Sequence, residues 1–270
     1  MRHENVFGAP HPALRAHVRS YVGYSSSTGG VARRRHSPSG IVPLIITLGP
    51  RIGIVEDAAR KGPATYVDAF IAGMHDVYAL SESPGEACGI QIDFTPLAGY
   101  LLLGRDMSDL TNRAVALEDV FGAEGPHLRE RLLDEPRWEE RFRIVDGFVA
   151  RRLERAKPAS PAVAWAWRRL NETAGSAPVG ELAREIGWSR KHLAARFREQ
   201  IGLPPKAVAR ILRFQAAERA INAGVELGWS DLAARCGYYD QAHLIRAFRE
   251  FAGVTPGEYV ARRLPDGLED

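Results

Sequence analysis

The chain has 270 residues, 45% hydrophobic and 26% charged, with a formal net charge of +3. That length admits two domains with ordinary cores. No run of about 18 apolar residues is present and the opening MRHENVFGAP lacks a hydrophobic stretch, so neither a membrane span nor export is expected, and a cytoplasmic protein is. The two cysteines, Cys88 and Cys236, read as reduced packing residues rather than a disulfide.

The first 125 residues alternate short apolar runs with Gly, Pro and Ser. HVRSYVGYSSS (17–27), GIVPLIITLG (40–49), YVDAFIAG (66–73) and GIQIDF (89–94) read as strands of a small sheet. TPLAGYLLLG (95–104) opens on Thr-Pro and reads as a helix ending at Gly104, and Leu117, Val120 and Phe121 mark another short helix. From Gly125 the charge density rises, and residues 126–157 read as a helical linker of two amphipathic helices split by Pro136. The KPASP segment (157–161) reads as the entry to a further domain over 158–264.

Catalytic and metal chemistry find little support in this part. His36 and His75 stand without the His-x-His pair, Glu and later His that a metal site on neighbouring strands needs, so neither a metal nor a cofactor is expected. No GxSxG elbow, phosphate-binding glycine loop or CxxC is present, and Asp57, Asp68, Asp76 and Asp93 have no pairing that argues acid–base work. Arg33-Arg34-Arg35-His36 reads as a solvated loop, with an anion site the alternative; Trp165 and Trp167 read as core and boundary residues.

The second half says one thing twice. ELAREIGWSRKHLAARFREQIGLPP (181–205) and DLAARCGYYDQAHLIRAFREFAGVTP (231–256) align with one residue inserted after Tyr238. Each reads as a short helix, a glycine turn (Gly187, Gly237) and a second helix opened by a capping residue (Ser189, Asp240), the layout of a helix-turn-helix. Leu193 and Phe197, like Leu244 and Phe248, are four apart and mark an inner face. Lys191, Ala195 and Arg198, and Ala242, Arg246 and Arg249, form the outer rows, suited to a major groove. Pro204-Pro205 opens a linker helix up to Gly224, and about 19 residues at about 1.5 Å each span about 28 Å. With the packing of each unit added, the two reading helices are expected about 34 Å apart, one turn of DNA. Charge follows this division: residues 1–125 carry 11 basic and 13 acidic side chains, residues 176–263 carry 14 and 9.

From about Ala159 to Arg263 the chain resembles the DNA-binding domain of the AraC/XylS family of bacterial transcription regulators. The resemblance rests on Ala233, Cys236, Gly237, Tyr238, Asp240, His243, Leu244, Arg246, Phe248, Gly253, Thr255-Pro256 and Tyr259. The order of pieces before it resembles an uncharacterised domain found ahead of such domains in actinobacterial regulators. The resemblance implies an α+β chain. A small mainly-β N-terminal domain (1–125) for sensing or dimerisation, with a few helices, would precede an all-α domain of seven helices with two helix-turn-helix units. It implies sequence-specific binding of double-stranded promoter DNA, usually as an activator, with RNA polymerase, a small-molecule effector and a second copy of the chain as further partners. Carried over, the DNA contacts are Arg190, Lys191, Ala194 and Ala195 in the first unit and Gln241, Ala242, His243 and Arg246 in the second; by its charge on the outer row, Arg249 is expected to contact phosphate as well. One departure stands out: the family commonly has arginine where this chain has Ala195 and an apolar residue where it has Arg196, which then has to snorkel from a half-buried site. The competing reading is a bifunctional protein whose N-terminal domain carries an unrecognised enzymatic activity, with DNA binding secondary.

Overall fold

The computed structural model describes residues 2–55, 63–225, 227–264 and 267–269. Twelve strands and eleven α-helices are found among them. The strands are β1 (Arg2–Gly8), β2 (Val18–Ser27), β3 (Ala32–His36), β4 (Val42–Thr47), β5 (Ile52–Val55), β6 (Ala64–Val67), β7 (Ala69–Ala72), β8 (Ala79–Ser83), β9 (Glu86–Phe94), β10 (Ala114–Ala116), β11 (Arg263–Leu264) and β12 (Gly267–Glu269). They form two six-stranded antiparallel sheets rather than the one small sheet expected. The first has the order β1-β2-β9-β4-β7-β10 and the second β11-β12-β3-β8-β5-β6.

Alternation builds the first sheet. Val42, Leu44 and Ile46 on β4, and Ile90, Ile92 and Phe94 on β9, are fully buried while Pro43, Ile45, Gln91 and Asp93 between them are half-buried. The run 66–73 breaks at Asp68, which leaves β6 in the second sheet and β7 in the first. The Asp68 carboxylate meets Arg51 at 3.0 Å and Arg129 at 3.1 Å, and its carbonyl accepts from the Thr47 amide at 2.8 Å, so the crossover is held at one residue.

The helices of the first half fall where the periodicity puts them. Helix α1 (Pro96–Leu103) is capped by Thr95, whose hydroxyl accepts from the Ala98 amide, and ends at Gly104 with φ +62°. Helices α2 (Leu117–Phe121), α3 (Glu124–Asp134) and α4 (Trp138–Glu154) follow, with Pro136 between the last two. Helix α4 lies against β1 and β2. Gly8 and Gly23 leave no room for a Cβ beneath Phe142 and Trp138, Tyr21 stacks on Phe142 at 5.6 Å, and the Tyr21 hydroxyl donates to Asp146 at 2.7 Å.

The second half is helical: α5 (Pro161–Glu172), α6 (Val179–Glu185), α7 (Arg190–Ile201), α8 (Pro205–Asn222), α9 (Trp229–Arg235), α10 (Gln241–Phe251) and α11 (Pro256–Arg262). Helix α8 is apolar over much of its circumference; Val208, Ile211, Phe214 and Ala217 are fully buried, and it touches α5, α7, α9 and α10. Beyond α11 the backbone of β12 pairs with β3, Leu268 opposite Arg35, so the end of the described chain extends a sheet of the N-terminal half.

This joint corrects one expectation. Arg33–His36 is not a solvated loop: it is strand β3, hydrogen-bonded on one side to β8 and on the other to β12, with Arg35 buried. Long-range pairing partners make it a strand, and no local pattern announces them.

Next to β3 the linker helix meets the first half. The Gly40 amide donates to Gln215 Oε1 at 3.2 Å, and Glu218 accepts from the Tyr259 hydroxyl at 2.8 Å and from Ser37. Burial pushes the Glu218 carboxyl above its ordinary range, and the hydroxyl donors only partly offset it. A carboxyl raised in the folded state contributes stability below the ordinary carboxylate range and loses it as pH rises through the raised value. Glu218→Gln removes this dependence, so thermal melting from about pH 4 to about pH 7 is expected to show the variant gaining on wild type as pH rises. A pH-independent gap between the two curves would refute the assignment.

Candidate nucleic-acid interface

Each helix pair is built on a glycine turn. Gly187 and Gly237 adopt φ +71° and +73°, the left-handed region where a Cβ is penalised. Two residues after Gly187 and three after Gly237 a side chain caps the second helix: Ser189 Oγ accepts from the His192 amide at 3.1 Å, and Asp240 Oδ1 from the His243 amide at 2.6 Å. The two histidines are braced alike. Trp188 meets His192 edge-on at 4.4 Å, and Tyr238 meets His243 edge-on at 5.2 Å.

The faces separate as the spacing requires. Leu193, Phe197, Leu244 and Phe248 are fully buried, and Phe248 packs on Phe214 of the linker helix at 4.9 Å. Arg190, Lys191, Ala195 and Arg198 on α7 are exposed, as are Gln241, Ala242, Arg246 and Arg249 on α10. Ala194 and His243 are half-buried, so of the nine candidate contacts these two offer least surface. Arg196 is half-buried and forms an ion pair with Glu199 along the helix, which is how a charged side chain occupies an apolar position of the pattern.

Electrostatically the two units differ. Helix α7 starts with a neutral cap and two consecutive cations, whereas α10 starts with a carboxylate cap and two neutral residues, its arginines coming one and two turns later. The first unit therefore concentrates positive charge at the helix N-terminus, where amides and dipole already favour an anion.

Two residues near this surface escaped the repeat-based reading. Tyr239, the residue inserted in the second copy, stands 94% exposed immediately before the Asp240 cap. Ser230 donates to Gln241 Oε1 at 3.2 Å and so orients one of the candidate contacts. The insertion itself was the available signal for Tyr239; nothing local marks Ser230.

The other candidates have structural partners. His36 Nε2 and Ser81 Oγ lie 2.7 Å apart, and His75 Nδ1 lies 2.8 Å from the Gly73 carbonyl. Asp93 accepts from Ser20 and Gln91, and Asp76 from the Asn112 amide group; Asp57 lies outside the described residues. Among the described residues no group of three or more His, Cys, Asp and Glu is placed to hold a metal, and no helix is long and apolar enough to cross a membrane. Trp167 is buried and faces Gly40 and α8, while Trp165 is half-buried. Cys88 and Cys236 are both free thiols, pushed above the ordinary range by burial. At the end of the first sheet an open cavity of about 610 Å³ is lined by residues including Glu4, Ser25, Ser27, Glu86 and Cys88.

Residues 182–262 match a family described as a helix-turn-helix domain, and residues 8–116 match a domain of unknown function. The xylose operon regulatory protein of Escherichia coli K12 is 24% identical over 237 residues, 83% of this chain and 55% of that protein. An AraC-like transcription regulator of Streptomyces antibioticus is 32% identical over 108 residues, 40% of this chain and 35% of that protein. Over this C-terminal part the chain carries a helix-turn-helix domain similar to that of AraC-like regulators. It spans about half the length of the first of these relatives and about a third of the second. In fold it is similar to ToxT of Vibrio cholerae O395, with a TM-score of 0.51 at 11% identity, covering 89% of this chain and 97% of that one; that structure contains (E)-4-(8-methylnaphthalen-1-yl)but-3-enoic acid.

The two caps hold the local geometry of each helix pair. Ser189→Ala and Asp240→Ala each remove one amide acceptor and are expected to cost about 1 kcal/mol in urea unfolding. Ser189→Asp is expected to be neutral or stabilising, because a carboxylate serves the same amides. Loss below a few tenths of a kcal/mol for both alanine variants would show that the caps do not hold the helices.

Proposed function

We propose that the protein is a sequence-specific DNA-binding transcription regulator that inserts α7 and α10 into successive major grooves of promoter duplex. One observation carries the reading: both helices bury an apolar row on a shared linker helix and leave exposed outer rows that begin at their N-terminal turns. The 18 residues of α8 extend about 27 Å, which with the flanking units approaches the roughly 34 Å that separates successive major grooves on one face.

In this reading Arg190 and Lys191 anchor the first unit, with Ala195 and Ala194 facing bases. Gln241, Ala242, His243 and Arg246 read the second half-site, and Arg249 holds phosphate. The functional division follows residues 1–125, 126–157 and 158–264, the first part sensing a small molecule or joining a second copy of the chain. The cavity at the end of the first sheet is the place to look for an effector, and Glu4 and Glu86 suit a polyol or a cation better than an acid. Contact with RNA polymerase follows if the protein activates.

Selection of bound duplexes from a randomised pool with the full-length protein tests the reading. Two half-sites one helical turn apart are expected; enrichment of no motif would overturn it. On the selected site Arg246→Ala is expected to cost about 1–3 kcal/mol and to relax preference at one base position. An equal loss on random duplex would make Arg246 a phosphate clamp instead. Arg190, Lys191, Arg246 and Arg249 give a logarithmic salt slope of about −3 to −4. Ala195 presents only a methyl group, so Ala195→Arg is expected to tighten binding and introduce a guanine preference in the first half-site. If the first half-site is already the more strictly specified, other residues read it.

A further inference from the structure

The N-terminal half touches both reading helices, and it does so at the C-terminal end of each. Thr111 Oγ1 donates a 2.7 Å hydrogen bond to the carbonyl of Gly202, the residue that ends α7. Arg35 Nη1 donates a 3.0 Å hydrogen bond to the carbonyl of Ala252, the residue that ends α10. The turn glycines at both ends, Gly202 and Gly253, correspond in the repeat and adopt φ +97° and +70°. Helix C-termini carry unsatisfied carbonyls and partial negative charge, so a hydroxyl donor and a guanidinium are both matched to them.

The two donors stand beside different sheets. Thr111 follows the 3-10 turn Met107–Leu110 and stands just before β10, at the edge of the first sheet; that turn and α1 pack against α7. Arg35 lies on β3 of the second sheet, its guanidinium 4.5 Å from the centre of the Tyr78 ring, on the strand that also receives β12. Space is tight at both docking points: a Cβ on Gly202 would stand 3.1 Å from the Met107 carbonyl oxygen, and one on Gly253 would run into the Arg35 guanidinium.

We propose that Arg35 and Thr111 are positioning residues that fix the angle and distance between the two reading helices, so that the two sheets of the N-terminal half set the half-site spacing the protein accepts. The inference rests on the groove-entry reading of α7 and α10. Its physical basis is leverage. Each reading helix packs against the linker helix and against the short helix before it, α6 for α7 and α9 for α10. A hydrogen bond at the C-terminal end adds a directional hold that side-chain packing alone lacks. With 11 residues α10 is about 16 Å long, so a pivot of about 10° at that end displaces its first residues by about 3 Å. That is close to the rise of one base pair, about 3.4 Å. A hydrogen bond at the far end of the helix therefore decides whether Gln241 and Ala242 meet one base pair or the next.

The test uses two readouts on the full-length protein. In the first, spin labels at Ala195→Cys and Ala242→Cys, with Cys88→Ser and Cys236→Ala, report the distance between α7 and α10 without DNA. In the second, the selected duplex is varied by one or two base pairs between half-sites. Wild type is expected to show a narrow distance distribution and to lose roughly 10-fold in affinity per base pair of altered spacing. Arg35→Met and Thr111→Val are expected to broaden or shift the distances and to flatten the spacing profile to within about 2-fold. Thr111→Ser keeps the hydroxyl and is expected to behave as wild type. If Arg35→Met melts early, the Thr111 pair decides the matter. Wild-type distances and an unchanged spacing profile in Thr111→Val, and in Arg35→Met where it folds, would overturn the inference while leaving DNA binding intact. Absence of specific binding by wild type would overturn the groove-entry reading itself, and the label distances would then decide the pinning alone.

Discussion

The structure is mounted on the apolar surface of one helix. Phe214 of α8 meets Phe248 at 4.9 Å and Phe251 at 5.4 Å, and through them holds the second reading helix. The same helix packs against α5, α7 and α9, and its Gln215 and Glu218 reach the segment that follows β3. Burying apolar residues on several sides of one helix accounts for many of its neighbours: a unit that covers part of α8 gains the roughly 25 cal/mol per Å² of apolar burial and must turn its polar face outward. The exposed rows on α7 and α10 are in this sense what remains after α8 has been covered.

That constraint also explains why the second half was so legible. Gly187, Gly237, Ser189, Asp240, Leu193, Phe197, Leu244 and Phe248 each act within one turn or one helix pair, so their spacing carries the geometry. Departures from the repeat were legible too. Arg196, out of pattern, found Glu199 one turn on, and the inserted Tyr239 became the exposed residue before the cap.

The N-terminal half was legible only where its pairing is internal to an apolar run. Strands β4 and β9 announce themselves by alternation; β3 does not, because ARRRH becomes a strand through β8 and β12, about 45 and about 230 residues away. In its buried position Arg35 donates a hydrogen bond to the Ala252 carbonyl and lies over the Tyr78 ring, and neither partner is near it in sequence. The run 66–73 reads as one strand, yet the ion pairs of Asp68 with Arg51 and Arg129 split it between sheets. Ser230, which orients Gln241, was illegible for the same reason: its role exists only once α9 and α10 are in place.

The pairing of β12 with β3 has a consequence for how the chain is made. Leu268 pairs with Arg35, so more than 200 residues must follow β3 before its partner exists. At about 5–20 residues per second, ribosomal synthesis leaves that edge of the second sheet open for roughly 10–50 s, long after the hairpins beside it can form. An open edge is a template for the wrong neighbour, and three successive charged side chains, Arg33, Arg34 and Arg35, are the kind of residue that discourages one. The arginine run that hides this strand from hydrophobic alternation thus doubles as its guard until β12 emerges.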